Sequence, residues 1–97
     1  MEVRKEQNGE SVTYIIKGSL DPNTSVDLMN QIDLEGVKEI IFDIKDVDYV
    51  FSAGLRIFLQ IRKLSESEGF KMKIIHASES VKNIFDMVGF SKIIDFE

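Results

Sequence analysis

The chain has 97 residues, 43% of them hydrophobic and 30% charged, with no cysteine and a net charge of −5. That length holds one domain, residues 1–97, with a modest core, and the missing cysteines exclude disulfides, thiolate chemistry and cysteine-based zinc sites. Twelve basic residues stand against 17 acidic ones, and Arg56, Arg62, Lys63, Lys71 and Lys73 are interleaved with apolar or acidic neighbours, which argues against a nucleic-acid partner.

The N-terminal stretch Met1 to Glu6 is charged and leads into no apolar run of the kind a signal peptide carries. No apolar run approaches the roughly 20 residues of a membrane span, so the expectation is a cytoplasmic protein without membrane insertion. A first strand is predicted near Glu2 to Gln7. Asn8-Gly9 reads as a hairpin turn, because both residues tolerate positive φ. The β-branched and aromatic run Val12 to Ile16 predicts the second strand, with Gly18 ending it. Asp21-Pro22 has the form of a helix start, Asp as N-cap and Pro in the first turn. Val26, Met29 and Ile32 would be its apolar face, and Gly36 its end.

Glu39 to Ile44 predicts a strand whose continuous apolar stretch suggests burial on both faces. The second helix is predicted from Gly54 to about Ser67, with Leu55, Ile57, Phe58, Leu59, Ile61 and Leu64 apolar. Arg56, Gln60 and Lys63 form its polar stripe, and Gly69 is its stop. Phe70 to Ile75 follows as a strand. A third helix, capped by Ser78 or Ser80, carries Val81, Ile84, Phe85 and Val88 on one face and closes at Gly89. Ile93-Ile94 begins a short last strand. The order ββαβαβαβ predicts an α/β domain: a mixed sheet whose first strand pair is antiparallel and the remainder largely parallel, packed with helices.

No constellation for catalysis stands out. His76 is the sole histidine, and sequence does not bring it to a nucleophile. There is no Gly-x-x-x-x-Gly-Lys loop for nucleotide phosphates. Asp43, Asp46 and Asp48 lack the oxygen density and glycine turn of a calcium loop, so they read as turn and solvent-facing carboxylates. No metal or cofactor is expected, and no enzymatic activity. Ser52 falls at or near the start of the second helix, where its hydroxyl suits an N-cap.

Three stretches carry a resemblance. Gly18-Ser19-Leu20-Asp21 is similar to the Gly-Glu-Leu-Asp turn of STAS domains. Tyr49-Val50-Phe51-Ser52-Ala53-Gly54-Leu55 is similar to their phosphorylation segment, an aromatic and apolar pair followed by Asp-Ser-Ser/Thr-Gly-Leu. Ser80 to Phe90 is similar to their third helix and the Gly that ends it. In this chain Phe51 stands where the family usually has Asp, Ser19 where it has Glu, and Ala53 at the second hydroxyl position. The likeness spans nearly the whole chain and points, within the family, to the bacterial anti-sigma factor antagonists.

The resemblance implies a binding module switched at Ser52. Unphosphorylated, it would bind an anti-sigma factor that is also a serine kinase of the histidine-kinase-like ATPase fold. Phosphorylation at Ser52 would release it, and a serine phosphatase would restore it. Ser19, Leu20, Asp21, Val50, Phe51, Ser52, Ala53, Gly54 and Arg56 would line the partner-binding surface, with Gln60 continuing the stripe. Phe51 could anchor a partner or line the helix start. The alternative is a free-standing STAS subunit of a lipid- or anion-transport assembly.

Overall fold

The computed structural model describes residues 2–97. Its strands are β1 (Glu2–Asn8), β2 (Ser11–Leu20), β3 (Glu39–Val50), β4 (Lys71–Ile75) and β5 (Asp95–Phe96). Its helices are α1 (Pro22–Gln31), α2 (Ser52–Glu68) and α3 (Glu79–Met87), with a 3₁₀ turn at Phe90–Lys92 before β5. The strands lie in sequence order, β1-β2-β3-β4-β5. β1 and β2 pair antiparallel across a two-residue turn at Gly9-Glu10, one residue later than the expected Asn8-Gly9 because Asn8 still pairs with Ser11, and the other pairs are parallel.

Monotonic strand order fixes where the helices go. Each parallel connection crosses over in the same right-handed sense, so α1, α2 and α3 all land on one face of the sheet. The buried side chains follow: Val12, Tyr14 and Ile16 on β2, Ile40, Phe42 and Ile44 on β3, Met72 and Ile74 on β4. A chain of rings joins sheet to helices, Tyr14 to Phe42 at 6.0 Å, Phe42 to Phe58 at 5.1 Å, Phe58 to Phe85 at 5.6 Å and Phe85 to Phe96 at 5.0 Å. Tyr14 keeps its polar tip satisfied at the far end of α1, accepting from the Asp33 amide at 3.0 Å and donating to the Gln31 carbonyl at 3.5 Å.

The other face of the sheet has no helix over it. There Ile15, Ile41 and Ile75 are half-buried. Polar pairs surround them, Lys73 with Glu97 at 2.9 Å, Ser11 with Glu39 at 3.2 Å and His76 with Asp43 at 3.1 Å. Burial of β3 on both faces is therefore not what the structure has. One-sided packing is what its topology dictates.

Several boundaries move. β2 runs through Gly18 to Leu20, because Gly18 and Leu20 still pair with β3. β3 extends to Val50 instead of Ile44, so Asp46 and Asp48 lie on a strand. In this extension β3 spends three residues against two of β2 twice, between Ile15 and Lys17 and between Gly18 and Leu20. These bulges break strict alternation, which is why burial falls at Ile44, Val47 and Val50. α1 stops at Gln31, well before Gly36. Its buried residues are Ser25 and Leu28, whereas Val26 is exposed and Met29 only half-buried. The face is set by a neighbouring helix close enough to select a small side chain. α3 starts from Ser78, whose hydroxyl accepts from the Val81 amide at 3.3 Å. On α3, Val81 and Phe85 are buried, Ile84 is half-buried and Val88 is exposed. Residues 93 and 94 precede β5, with Ile93 exposed and Ile94 buried. Among the described residues no helix is long and apolar enough to cross a membrane.

Candidate functional site

The site is built where β2 and β3 end together. Leu20 pairs with Val50, and the Phe51 amide donates to the Leu20 carbonyl at 2.9 Å. From this closed corner the chain turns at once into two helices, α1 after Asp21 and α2 after Phe51. The two helix starts are thus neighbours.

Gly54 explains how they fit. A Cβ added there would lie 2.9 Å from Leu20 Cβ and 2.9 Å from Val50 Cγ1, and 3.3 Å from the Leu20 carbonyl. The first turn of α2 is pressed onto the strand ends, and only glycine allows the approach. Leu20, Val50 and Gly54 are buried, so they form the floor of the site and not its surface.

Asp21 is the N-cap of α1. Its Oδ1 accepts from the Thr24 amide at 2.9 Å, and its own amide donates to Thr24 Oγ1 at 2.9 Å, a reciprocal capping box. Hydrogen bonds from the Thr24 backbone and side chain hold the Asp21 carboxyl below its ordinary value of 3.8. Ser19 is half-buried and contributes its carbonyl, which accepts from Thr24 Oγ1 at 2.7 Å.

Ser52 does not cap α2. The N-cap is Phe51, with extended backbone and no side-chain cap bond, and Ser52 is the first helical residue. Phe51 takes the cap position because its amide is fixed to Leu20 and Gly54 sets the helix depth. The Ser52 side chain is exposed, and its hydroxyl is engaged by no protein group among the described residues. Beside it Phe51 and Tyr49 are 45% and 48% exposed, and their rings meet edge to face at 4.7 Å. Large aromatics held in the open next to a free hydroxyl form a surface suited to recognition.

Ala53, Arg56 and Gln60 continue along α2 and face α1 across a groove of about 300 Å³, whose other wall includes Pro22 and Val26. Arg56 is exposed, and its Nε donates to the Ser52 carbonyl at 3.4 Å. Inside the groove the Ser25 hydroxyl is buried without a partner. Tyr49 and Val26 are the contributions that sequence reasoning missed. Tyr49 is legible only as part of a motif, and Val26 reads as core in the sequence but is exposed.

His76 and Asp43 meet on the uncovered side of the sheet, His76 Nδ1 lying 3.1 Å from Asp43 Oδ1, but they do not reach Ser52. Asp43 also accepts from the Lys45 amide at 3.2 Å. Asp46 and Asp48 point separately into solvent, and no cluster of three or more potential metal ligands forms among the described residues.

Comparison with known proteins finds relatives of this chain and of its fold. The STAS domain family model aligns with residues 2–97. The anti-sigma-B factor antagonist of Bacillus subtilis is 28% identical over 92 residues, covering 93% of this chain and 84% of that one. A putative anti-sigma factor antagonist from Thermotoga maritima superposes with a TM-score of 0.88 at 15% identity, over 97% of this chain and 84% of that one. The Bacillus antagonist SpoIIAA superposes in its unphosphorylated form with a TM-score of 0.79 at 17% identity, over 99% of this chain and 87% of that one. Its phosphorylated form gives 0.71, again at 17% identity, over 99% and 91%.

Proposed function

This chain belongs to the STAS domain family, and from that premise we propose that it is an anti-sigma factor antagonist, a cytoplasmic binding module switched by phosphorylation of Ser52 and without catalytic activity of its own. The observation that carries this reading is the open start of α2: an exposed serine hydroxyl in the first turn, flanked by the exposed Tyr49–Phe51 pair.

Unmodified, the surface made by Asp21, Tyr49, Phe51, Ser52, Ala53, Arg56 and Gln60 docks on an anti-sigma factor. The aromatic pair supplies the apolar anchor. The partner, a serine kinase of the histidine-kinase-like ATPase fold, transfers the γ-phosphoryl group of ATP to Ser52 Oγ. The new O–P bond replaces the bond to the ADP oxygen, and the hydroxyl proton leaves to the medium. Phosphoserine brings about −1.5 to −2 charge at neutral pH. The first turn of a helix accommodates that charge, because its free amides and dipole point toward it, so the domain stays folded. A partner packed over the same spot meets bulk and a charge that is costly to desolvate, and it leaves. A serine phosphatase resets the cycle. Phe51 replaces an acidic neighbour with an apolar one, which strengthens the anchor.

The test is mass spectrometry of the protein from its native host combined with a pull-down. Phosphate on Ser52 and a co-purifying ATPase-type kinase support the proposal. An unmodified Ser52 with permease or lipid-transport subunits in the pull-down replaces it with the transport-subunit reading. In binding assays Ser52→Ala should retain the kinase, and Ser52→Asp should weaken it at least tenfold.

A further inference from the structure

We propose that Arg56 is a two-position arm of the switch: it faces the partner when Ser52 is unmodified and clasps the phosphate when Ser52 carries one. The inference rests on the reading of Ser52 as a phosphoacceptor and names how that state is held.

Arg56 lies four residues after Ser52 on α2, the spacing at which helical side chains stand over one another. Its guanidinium already reaches back one turn, with Nε donating to the Ser52 carbonyl at 3.4 Å. Among the described residues no carboxylate lies within ion-pair distance of it. The other arginines are engaged: Arg62 pairs with Glu66 at 3.2 Å and donates to Ser65 Oγ at 3.0 Å, and Arg4 lies 3.8 Å from Glu6. Arg56 is therefore a cation held at residue 52 without a counter-charge.

Its surroundings favour an anion at Ser52. The first turn of α2 has no acidic residue, and the preceding position is Phe51. A planar guanidinium can offer two parallel N–H donors to phosphate oxygens, and the single weak bond to the Ser52 carbonyl is easily exchanged for them. The same side chain stands on the rim of the α1–α2 groove with Gln60 and Val26. There it can meet a carboxylate of the partner. Phosphorylation then acts twice. It places charge in the interface, and it withdraws the arginine that the partner would have used.

The experiment installs phosphoserine at position 52 during protein synthesis, so that no kinase is needed, and follows the second ionisation of the phosphate by ³¹P NMR. In the parent the midpoint should fall below the ordinary value of about 6. In Arg56→Gln it should rise by about half a unit, Arg56→Lys should lie between the two, and Arg62→Gln should match the parent. The Arg56 Nε–H resonance should move on phosphorylation. Identical midpoints in the parent and Arg56→Gln, with an unmoved Nε–H signal, overturn the clasp. That failure is separate from failure of the functional reading: a chain never phosphorylated in its host removes the switch, whatever the ³¹P titration shows.

Discussion

Two helices begin side by side at the end of the sheet, and their first turns are built in opposite ways. α1 closes its start with its own side chains, Asp21 and Thr24 bonding each other's backbone amides. α2 has no side-chain cap; its start is held by the Phe51 amide on Leu20 and by Gly54 lodged against Leu20 and Val50. A ten-residue helix with two buried residues needs its cap. A 17-residue helix with Ile57, Phe58 and Ile61 in the core does not, since tertiary packing supplies most helical stability. The saving leaves amides at the start of α2 open to an incoming group.

This contrast breaks most severely at Gly54. Gly54→Val forces a branched side chain onto strand ends that cannot yield, and overpacking of this kind should cost about 3 kcal/mol, read as a lower urea midpoint with an unchanged slope. If the variant is as stable as the parent, the packing account of α2 is wrong.

At the start of α1 the loss should be smaller. Asp21→Ala removes the cap acceptor and should lower Tm by about 5 °C at neutral pH. Because the Asp21 carboxyl titrates below 3.8 in the folded chain, its stabilisation is fully present above that pH. It disappears as pH falls through the folded value. Melting curves of parent and variant should converge in acid; a gap that persists at low pH would show that the carboxylate charge is irrelevant to the cap.

Giving α2 the cap it lacks sharpens the comparison. Phe51→Ser supplies an acceptor but dissolves the ring contact with Tyr49, so stability should stay within about 0.5 kcal/mol of the parent. Partner affinity should drop at least tenfold by calorimetry, since an exposed aromatic anchor is gone. Smallest of all is the effect of Ser52→Asp on the fold. An exposed first-turn acid should move stability by no more than about 0.5 kcal/mol, in the stabilising direction. A clear fall in Tm would mean that the start of α2 does not welcome charge.

The element order, the antiparallel opening pair, the Asp21-Pro22 helix start and the Gly69 stop were all legible in the sequence, because each has a local cause. What escaped it depends on distant partners. Ser52 reads as a cap until Leu20 fixes the Phe51 amide one residue earlier. Val26, Met29 and Ile32 read as a core face until α2 comes close enough to prefer Ser25. Val50 reads as surface until the bulges of β3 turn it inward. Leu20 and Gly54 read as contacts, whereas in the structure both are buried beneath the start of α2.

Those bulges have a consequence for how such a surface can diversify. They uncouple the phase of β3 near the core from its phase at the tip. Removing Lys45 would leave Ile40, Phe42 and Ile44 where they are and rotate everything beyond by half a strand period. The tip of β3 is geared to the core through a slipping joint. Insertions and deletions there are a route to new partners that ordinary point substitution on a rigid strand does not offer.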